Sequence, residues 1–321
     1  MLDSLRRYLN SSTYLRELKD AILRQSAAGH ELTVFPDDVF LVSYLRSGQT
    51  WSRFLIANLR DPSNPTTFSD ITDRVPGINT HSDRFLQALP RPRVMVSHKS
   101  FFSYYPSVIY IVRDPRDVAI SRYYYELKLG NIDDGHLMED FIRSFVSGEI
   151  DEYRRAGGWG DHVLSWLAMR MGHSNFMLMR YEDLKSDTMG QLRRVASFMG
   201  LGVDDKTLER SIRLSSKERM RELDQNKPLG FLRGTRPDVP FVRKDVAGGW
   251  SSQLSETSIR TIESAWWPLM ELLGYKLICS QVEREITPQI NFRTSRILSS
   301  FLARFEENWR GEMLRNTNSA L

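Results

Sequence analysis

The chain has 321 residues, of which 41% are hydrophobic and 26% charged, and its formal net charge is +4. This length is enough to bury the core of one large domain or two small ones, and the single cysteine, Cys279, excludes an internal disulfide and a cysteine-based metal cluster. No apolar run approaches the roughly 18 to 20 residues that a membrane-spanning helix requires. We therefore expect a protein of the reducing cytoplasm without a transmembrane segment.

The chain divides into three predicted regions. Apolar residues recur at near-helical spacing in the first region, so residues 1–30 are expected to form one or two amphipathic helices. Residues 31–278 are expected to form one α/β domain. Residues 279–321 combine an apolar stripe with several arginines and are expected to form a basic amphipathic helical extension. Packing of this extension on the domain is favoured over binding to a membrane surface or a partner protein.

Four short apolar runs, two of them β-branched, predict β-strands, and helical patterns follow most of them. One helix is expected to begin at Asp114 and Pro115, which suit a cap and a first turn. Strands that alternate with helices indicate a central parallel sheet flanked by helices on both faces. Residues 62–92 are rich in Pro, Asp, Thr and Ser and predict a long irregular connection. The four predicted strands are DVFLVSY (38–44), RVMVSH (93–98), SVIYIVR (107–113) and NFMLMRY (175–181).

The stretch SYLRSGQTW, residues 43–51, joins the first predicted strand to a helix and carries no acidic residue. A helix that begins directly after a strand presents unpaired N–H groups and partial positive charge to an anion. Gly48 permits close approach of the backbone to a ligand. The loop lacks the Gly-Lys-Ser/Thr ending of a Walker A motif, and by itself an ordinary strand-turn-helix crossover explains it equally well. The polar side chains of the loop are those of Arg46, Ser47, Gln49 and Thr50.

Two further basic patches change this balance. Arg113 ends a predicted strand, and Ser121 lies eight residues later in IVRDPRDVAIS. Arg243 and Lys244 are adjacent in the glycine-containing stretch FVRKDVAGGW. Each patch alone is also explained by a salt bridge, for Arg113 to Asp114 or Asp117, or by a solvated surface charge. Three patches together indicate two anion sites at the two ends of a nucleotide.

Five segments of the chain, in this order and spacing, resemble the cytosolic-type sulfotransferases, which use 3′-phosphoadenylyl sulfate as donor. The resemblance covers roughly residues 36 to 276. It implies a P-loop-like α/β fold and transfer of a sulfuryl group to a hydroxyl or amine of a small acceptor, with 3′-phosphoadenosine 5′-phosphate (PAP) as the product. The five segments are SYLRSGQTW, IVRDPRDVAIS, WGDHVLSW, MLMRYEDL and FVRKDVAGGW.

The resemblance also implies a role for individual residues. His98 matches the catalytic base, which suits an imidazole near neutral pH, and Arg46 would stabilise the leaving group. Arginine and backbone donors take the charge of the ligand, so no metal is expected. The implied nucleotide ligands are Arg46, Ser47, Gly48, Gln49, Thr50 and Trp51 for the 5′-phosphosulfate and adenine, Arg113, Ser121, Arg243, Lys244 and Asp245 for the 3′-phosphate, and Tyr181 and Ser215 as further contacts.

The chain departs from the family pattern at several positions. The family usually has Pro and Lys where this chain has Leu45 and Arg46, a lysine where it has Val96, and a glycine where it has Asp245. These departures keep open a catalytically weak nucleotide-binding regulatory or scaffold protein. Residues 251–260 do not match the family's dimerisation motif, so the oligomeric state stays open.

Two other classes of protein are less well supported. An ATP- and magnesium-dependent kinase is disfavoured because the Walker lysine-serine pair is missing. A nucleic-acid binder is disfavoured because the basic residues are dispersed along the chain.

Aromatic residues after the second and third strands suggest an apolar acceptor pocket, suited to a lipophilic alcohol, phenol or amine. Any single one of them is equally well explained as a core residue, and the acceptor is not identified. These residues are Phe101, Phe102, Tyr104, Tyr105, Tyr123 and Tyr124.

Overall fold

The computed structural model describes most of the predicted α/β domain. The amphipathic helices predicted for residues 1–30, and the predicted extension beyond Cys279, lie outside the described residues. The described ranges are 32–149, 158–226, 229–232, 234–242 and 247–279.

Four parallel strands form one sheet in the order β2-β1-β3-β4. All four predicted strands are confirmed, and their ends shift by at most one residue. Because β1 has β2 on one side and β3 on the other, the chain switches direction across the sheet beside β1. Ligands of open α/β sheets bind in the crevice that such a switch leaves at the carboxyl ends of the strands. The strands are β1 (Val39–Ser43), β2 (Val94–Ser97), β3 (Ser107–Val112) and β4 (Phe176–Arg180).

Helices cover the sheet, and the predicted start of a helix at Asp114 and Pro115 is confirmed. The Asp114 carboxylate accepts a hydrogen bond from the backbone N–H of Arg116, and Pro115 is the first helical residue. The helices are α1 (Gln49–Arg60), α2 (Ile71–Arg74), α3 (Asp83–Gln87), α4 (Pro115–Leu129), α5 (Met138–Ser147), α6 (Trp159–Arg170), α7 (Tyr181–Ser186), α8 (Thr188–Phe198), α9 (Asp205–Leu214), α10 (Lys217–Asn226) and α11 (Glu256–Leu272).

The two faces of the sheet bury separate cores, as the alternation of side chains along a strand requires. Phe40 and Val42 pack on the side of α4, α5, α6 and α11, where Trp266 is also buried. Leu41 packs on the opposite side against α1 and α8 to α10, together with Phe54. The predicted parallel sheet with helices on both faces is therefore confirmed.

Residues 62–92 are more ordered than predicted, because this connection contains the short helices α2 and α3. Ser82 caps α3 by accepting a hydrogen bond from the N–H of Phe85. Gly77 forms a parallel bridge with Val96 of β2. The sequence did not predict α2 and α3, because helices of four or five residues are too short to show a helical period of apolar residues. Across the described part of the chain, no helix combines the length and hydropathy that crossing a membrane demands.

Candidate active site

The loop between β1 and α1 contains two residues with a left-handed backbone conformation. Arg46 has a φ of 66° and Gly48 a φ of 96°, both in the left-handed region. Gly48 is the N-cap of α1, and the first turn of this helix contains no acidic residue. The hydroxyl of Ser47 is buried and has no hydrogen-bond partner within the described structure. The loop thus offers donors to an anion at the positive end of a helix.

The predicted residues Arg46, Arg113 and Ser121 come together at this loop. Arg46 Nε donates a hydrogen bond to Ser121 Oγ at 3.2 Å, and Arg113 Nη1 lies 3.4 Å from the carbonyl oxygen of Arg46. The Arg46 guanidinium contacts two rings, 4.6 Å from the centroid of Tyr125 and 4.9 Å from that of Phe241, and these rings meet each other edge-on. These two aromatic residues were not predicted as part of the site.

Arg113 is available for a ligand because its neighbour is paired elsewhere. The Asp114 carboxylate accepts from Arg116 Nη2 at 2.6 Å, and Arg116 also pairs with Glu263 at 2.6 Å. The Arg113 guanidinium instead lies 4.4 Å from the centroid of Tyr181. Its Nε is buried with no hydrogen-bond partner within the described structure. The alternative of an Arg113–Asp114 salt bridge is therefore not what the structure contains.

Beside the loop, Trp51 contacts both Tyr181 and Ser215. Trp51 Nε1 donates to the carbonyl oxygen of Ser215 at 2.9 Å, and its ring meets that of Tyr181 edge-on with centroids 6.0 Å apart. A Cβ on Gly48 would approach Tyr181 Cδ2 to 2.3 Å. Glycine is therefore required here both for the backbone angle and for the space.

Gln49 and Thr50 form the first turn of α1, but the side chain of Gln49 is engaged. Its amide nitrogen lies 3.2 Å from the carbonyl oxygens of both Leu41 and Ser97. It thereby ties the ends of β1 and β2 together, and its backbone N–H is what remains for a ligand. Thr50 is partly buried in the same turn.

His98 lies just beyond the end of β2, and its ring is fixed to the neighbouring strand. Its Nδ1 is 2.8 Å from the carbonyl oxygen of Ser43, the last residue of β1. A carbonyl oxygen only accepts, so Nδ1 carries the proton and Nε2 has the lone pair. The side chain keeps some exposed surface, and burial lowers the pKa of His98 to about 4; the charges of Arg53, Arg122 and Arg46 lower it further, while the bond to Ser43 opposes the shift. The imidazole is therefore a neutral acceptor at physiological pH.

The predicted residues Arg243, Lys244 and Asp245 lie outside the described residues. The turn that follows them is anchored beside Arg113. The Asp117 carboxylate accepts hydrogen bonds from the N–H groups of Gly248 at 2.7 Å and Trp250 at 3.0 Å. Burial raises the pKa of this carboxyl.

One departure from the family pattern has a visible consequence. Val96, at the position where the family often has a lysine, is 7% exposed and packs in the core on the α1 side of the sheet. The nearby Lys99 has its Nζ 4.9 Å from the ring centroid of Phe102. Neither side chain replaces the missing lysine beside His98.

Three of the aromatic residues suggested as acceptor walls are core residues. Tyr105 stacks on Phe40 with centroids 3.7 Å apart, and Phe101 packs edge-on against Trp166. Tyr123 is buried and donates its hydroxyl to the carbonyl oxygen of His136 at 2.7 Å. For these three, the alternative of a core role is the one observed.

The residues present fit a nucleotide that carries a phosphate at each end. Such a ligand requires unsatisfied donors and room for close approach. Ser47 Oγ and Arg113 Nε are buried without a hydrogen-bond partner within the described structure, and Gly48 has no side chain to obstruct a ligand. Arg46 contacts both Ser121 and Arg113. The fold and this arrangement define an α/β protein with an anion-binding crevice at the carboxyl edge of its sheet.

Comparison with known proteins narrows this class. A model of the sulfotransferase domain family matches residues 36–274. Human sulfotransferase 2B1 is 30% identical over 257 residues, which cover 75% of this chain and 68% of the human protein. The 3-beta-hydroxysteroid sulfotransferase of Cavia porcellus is 29% identical over 251 residues, or 75% and 82% of the two chains.

Solved structures share the fold. Retinol dehydratase in complex with retinol and PAP matches with a TM-score of 0.62 and 21% identity, over 83% of this chain and 88% of that chain. A mouse sulfotransferase complexed with PAP matches with a TM-score of 0.59 and 24% identity, over 79% and 88%.

The chain belongs to the sulfotransferase family. The predicted enzyme class, a 3′-phosphoadenylyl-sulfate-dependent sulfotransferase, is thereby confirmed.

Proposed function

We propose that this enzyme transfers the sulfuryl group of 3′-phosphoadenylyl sulfate to a hydroxyl or amine of a small, lipophilic acceptor, with His98 as the general base. The observation that carries the proposal is the bond of 2.8 Å between His98 Nδ1 and the carbonyl oxygen of Ser43. It directs the lone pair of Nε2 away from β1 and joins the imidazole to the strand that leads directly into the Arg46 loop. Base and anion site thus share one strand end.

The residues of the chain divide the work between them. The donor supplies the activated sulfuryl group, and the acceptor attacks sulfur in line with the leaving oxygen. His98 Nε2 takes the proton of the acceptor hydroxyl as the new S–O bond forms. Arg46 stabilises the negative charge on the departing phosphate oxygen, and Arg113 with Ser121 holds the 3′-phosphate at the other end.

The charge of the ligand also adjusts the base. Arg46, Arg53 and Arg122 contribute to the lowered pKa of His98. An anionic nucleotide at Arg46 offsets their positive charge, which raises the pKa of the imidazole towards the range in which base catalysis is efficient. Donor binding would then prepare the base for the acceptor.

The relatives suggest which acceptors to test first. One relative is named for 3β-hydroxysteroids, and one matched structure contains retinol; both ligands are lipophilic alcohols. A 3β-hydroxysteroid, a simple phenol and an aryl amine therefore form the first substrate panel. The cytoplasmic location and the absence of a metal and of nucleic-acid binding stay predictions.

The test combines a binding measurement with a turnover measurement. Calorimetric titration is expected to show strong preference for PAP over ADP, because only PAP reaches both phosphate sites. His98→Ala is expected to abolish sulfuryl transfer and to leave PAP affinity unchanged. Retained turnover in this variant would reject His98 as the base. Tight PAP binding without transfer to any acceptor in the panel would favour a nucleotide-binding regulatory protein instead.

A further inference from the structure

Helix α6 is joined to the segment that carries the candidate base. Three side chains of this helix, spaced three and one residues apart, hydrogen-bond to the backbone of residues 98–101. They lie on one face of the helix, since such spacings fall within about one turn. The three bonds join His162 Nε2 to His98 O at 3.2 Å, Trp166 Nε1 to Lys99 O at 3.0 Å and Ser165 Oγ to Phe101 N at 2.9 Å.

The bond from His162 requires one tautomer of its ring. The carbonyl oxygen of His98 only accepts, so the proton of His162 lies on Nε2. Nδ1 then accepts from the hydroxyl of Tyr110, which lies 2.8 Å away in β3. Both side chains are fully buried. Burial lowers the pKa of His162 to about 3 and raises that of Tyr110, so both groups are neutral. An ordered chain of donors therefore runs from Tyr110 through His162 to the backbone of His98.

His162 also reaches the anion-binding loop. Its ring meets that of Tyr44, the residue after β1, edge-on with centroids 5.7 Å apart. The side chain therefore contacts the loop that carries Arg46 and the segment that carries His98.

We propose that His162, kept in its Nε2–H tautomer by the carbonyl oxygen of His98 and hydrogen-bonded at Nδ1 to Tyr110, is a positioning residue for the candidate base. Its ring donates to the backbone carbonyl of His98, while the carbonyl of Ser43 accepts from the imidazole of His98. Together the two bonds leave the ring one orientation, with Nε2 directed to the acceptor. A displacement of about 1 Å in a reacting group can cost about a hundredfold in rate. This inference rests on the proposed role of His98.

The first test replaces His162 by two residues that differ in one hydrogen bond. His162→Gln keeps a side-chain N–H that can reach the carbonyl of His98, and His162→Phe fills the space without a donor. The Phe variant is expected to lower kcat by at least about tenfold, with PAP affinity and the KM of the acceptor changed by less than about threefold. The Gln variant is expected to recover most of kcat. Equal losses in the two variants, or full kcat in a folded Phe variant, would overturn the proposal.

A second test does not depend on turnover or on the folding of a His162 variant. Nitrogen-15 NMR of the histidine rings in the wild-type protein is expected to show the proton of His162 on Nε2 and that of His98 on Nδ1. Tyr110→Phe removes the donor to Nδ1 but leaves the carbonyl oxygen of His98 as acceptor, so it is expected to keep the proton of His162 on Nε2 and to shift only the resonance of Nδ1. A proton on Nδ1 of His162 in the wild type would contradict the proposal.

The two tests separate this inference from the proposed function. If His98→Ala retained turnover, the base assignment would fall, but the predicted tautomers of His98 and His162 could still be observed. If His98→Ala were inactive and the tautomers were reversed, only the positioning role of His162 would fall.

Discussion

The guanidinium of Arg46 is held by three side chains of the protein itself. Ser121 Oγ accepts from its Nε at 3.2 Å, and the adjacent rings of Tyr125 and Phe241 lie 4.6 and 4.9 Å from it. A planar, delocalised cation suits such a position, because it can stack on aromatic faces and still donate hydrogen bonds at its edge. An ammonium group has no such plane. The aromatic pair explains how arginine serves at a position where the family usually has lysine.

Charge at this position is therefore expected to matter more than shape. Arg46→Leu is expected to lower kcat by about a hundredfold or more, the range seen when one donor to a developing charge is removed. Arg46→Lys keeps the charge and loses the bond to Ser121, so a loss of less than about tenfold is expected. Steady-state kinetics at saturating donor measure both, and thermal melts check folding. Equal kcat values for the two variants would show that the charge of Arg46 does not act on the leaving group.

The residues of this cluster were predictable to different degrees. Arg113 and Arg46 each follow a strand of a parallel sheet, and the carboxyl ends of such strands meet at one edge, so the sequence brings them together. Tyr125 and Phe241 carry no comparable signal, since an aromatic residue on a helix or loop is most often a core residue. His162 was visible in WGDHVLSW but not its partner, because the contact joins residues 64 positions apart.

At the scale of elements, the junction of β1 and α1 depends on one glycine. Gly48 combines a φ of 96° with a distance of 2.3 Å from a built Cβ to Tyr181 Cδ2. Gly130, at the end of α4, has a φ of 76° but no atom within 4 Å of such a Cβ. Both glycines have a left-handed backbone, but only at Gly48 would a Cβ collide with a neighbouring side chain.

Substitution by alanine separates these two effects. Gly130→Ala is expected to destabilise the protein by about 1 kcal/mol, the cost of a left-handed residue with a Cβ, and to leave PAP binding unchanged. Gly48→Ala adds the displacement of Tyr181, so we expect a larger loss of stability and at least about tenfold weaker PAP binding. Urea denaturation and calorimetry measure the two quantities. Equal effects of both substitutions on PAP binding would mean that the contact with Tyr181 is unimportant.

The elements themselves were predicted well where burial gives a clear pattern. All four strands are short, largely buried apolar runs, and the cap at Asp114 marks the start of α4. In residues 62–92, the helices α2 and α3 have four and five residues. Tertiary contacts such as the bridge between Gly77 and Val96 order this connection, and no local pattern reports them.

At the scale of the whole molecule, burial shifts the pKa values of several ionisable groups, and these shifts have opposite effects on stability in acid. Burial lowers the pKa of His98 to about 4 and that of His162 to about 3. Burial raises the pKa of the carboxyl groups of Asp117 and Glu182. The histidines resist protonation in the folded state, whereas the carboxyl groups take up protons more readily there than in the unfolded chain. Stability against acid therefore depends on the difference between the two sets.

The contribution of one histidine can be isolated from this balance. In the unfolded chain a histidine takes up a proton below about pH 6.5, whereas folded His162 stays neutral until about pH 3. The folded state therefore loses stability relative to the unfolded chain as the pH falls from about 6.5 towards 3. The loss relative to neutral pH is about 2 kcal/mol near pH 5. We expect the free energy of unfolding of His162→Gln to fall less between about pH 7 and about pH 5 than that of the wild type, by about this amount, in urea titrations followed by tryptophan fluorescence. His173→Gln, which removes an exposed histidine, should leave the pH dependence unchanged. Parallel curves for wild type and His162→Gln would mean that His162 titrates normally, and the neutral, Tyr110-bonded ring from which its positioning role was inferred would have to be abandoned.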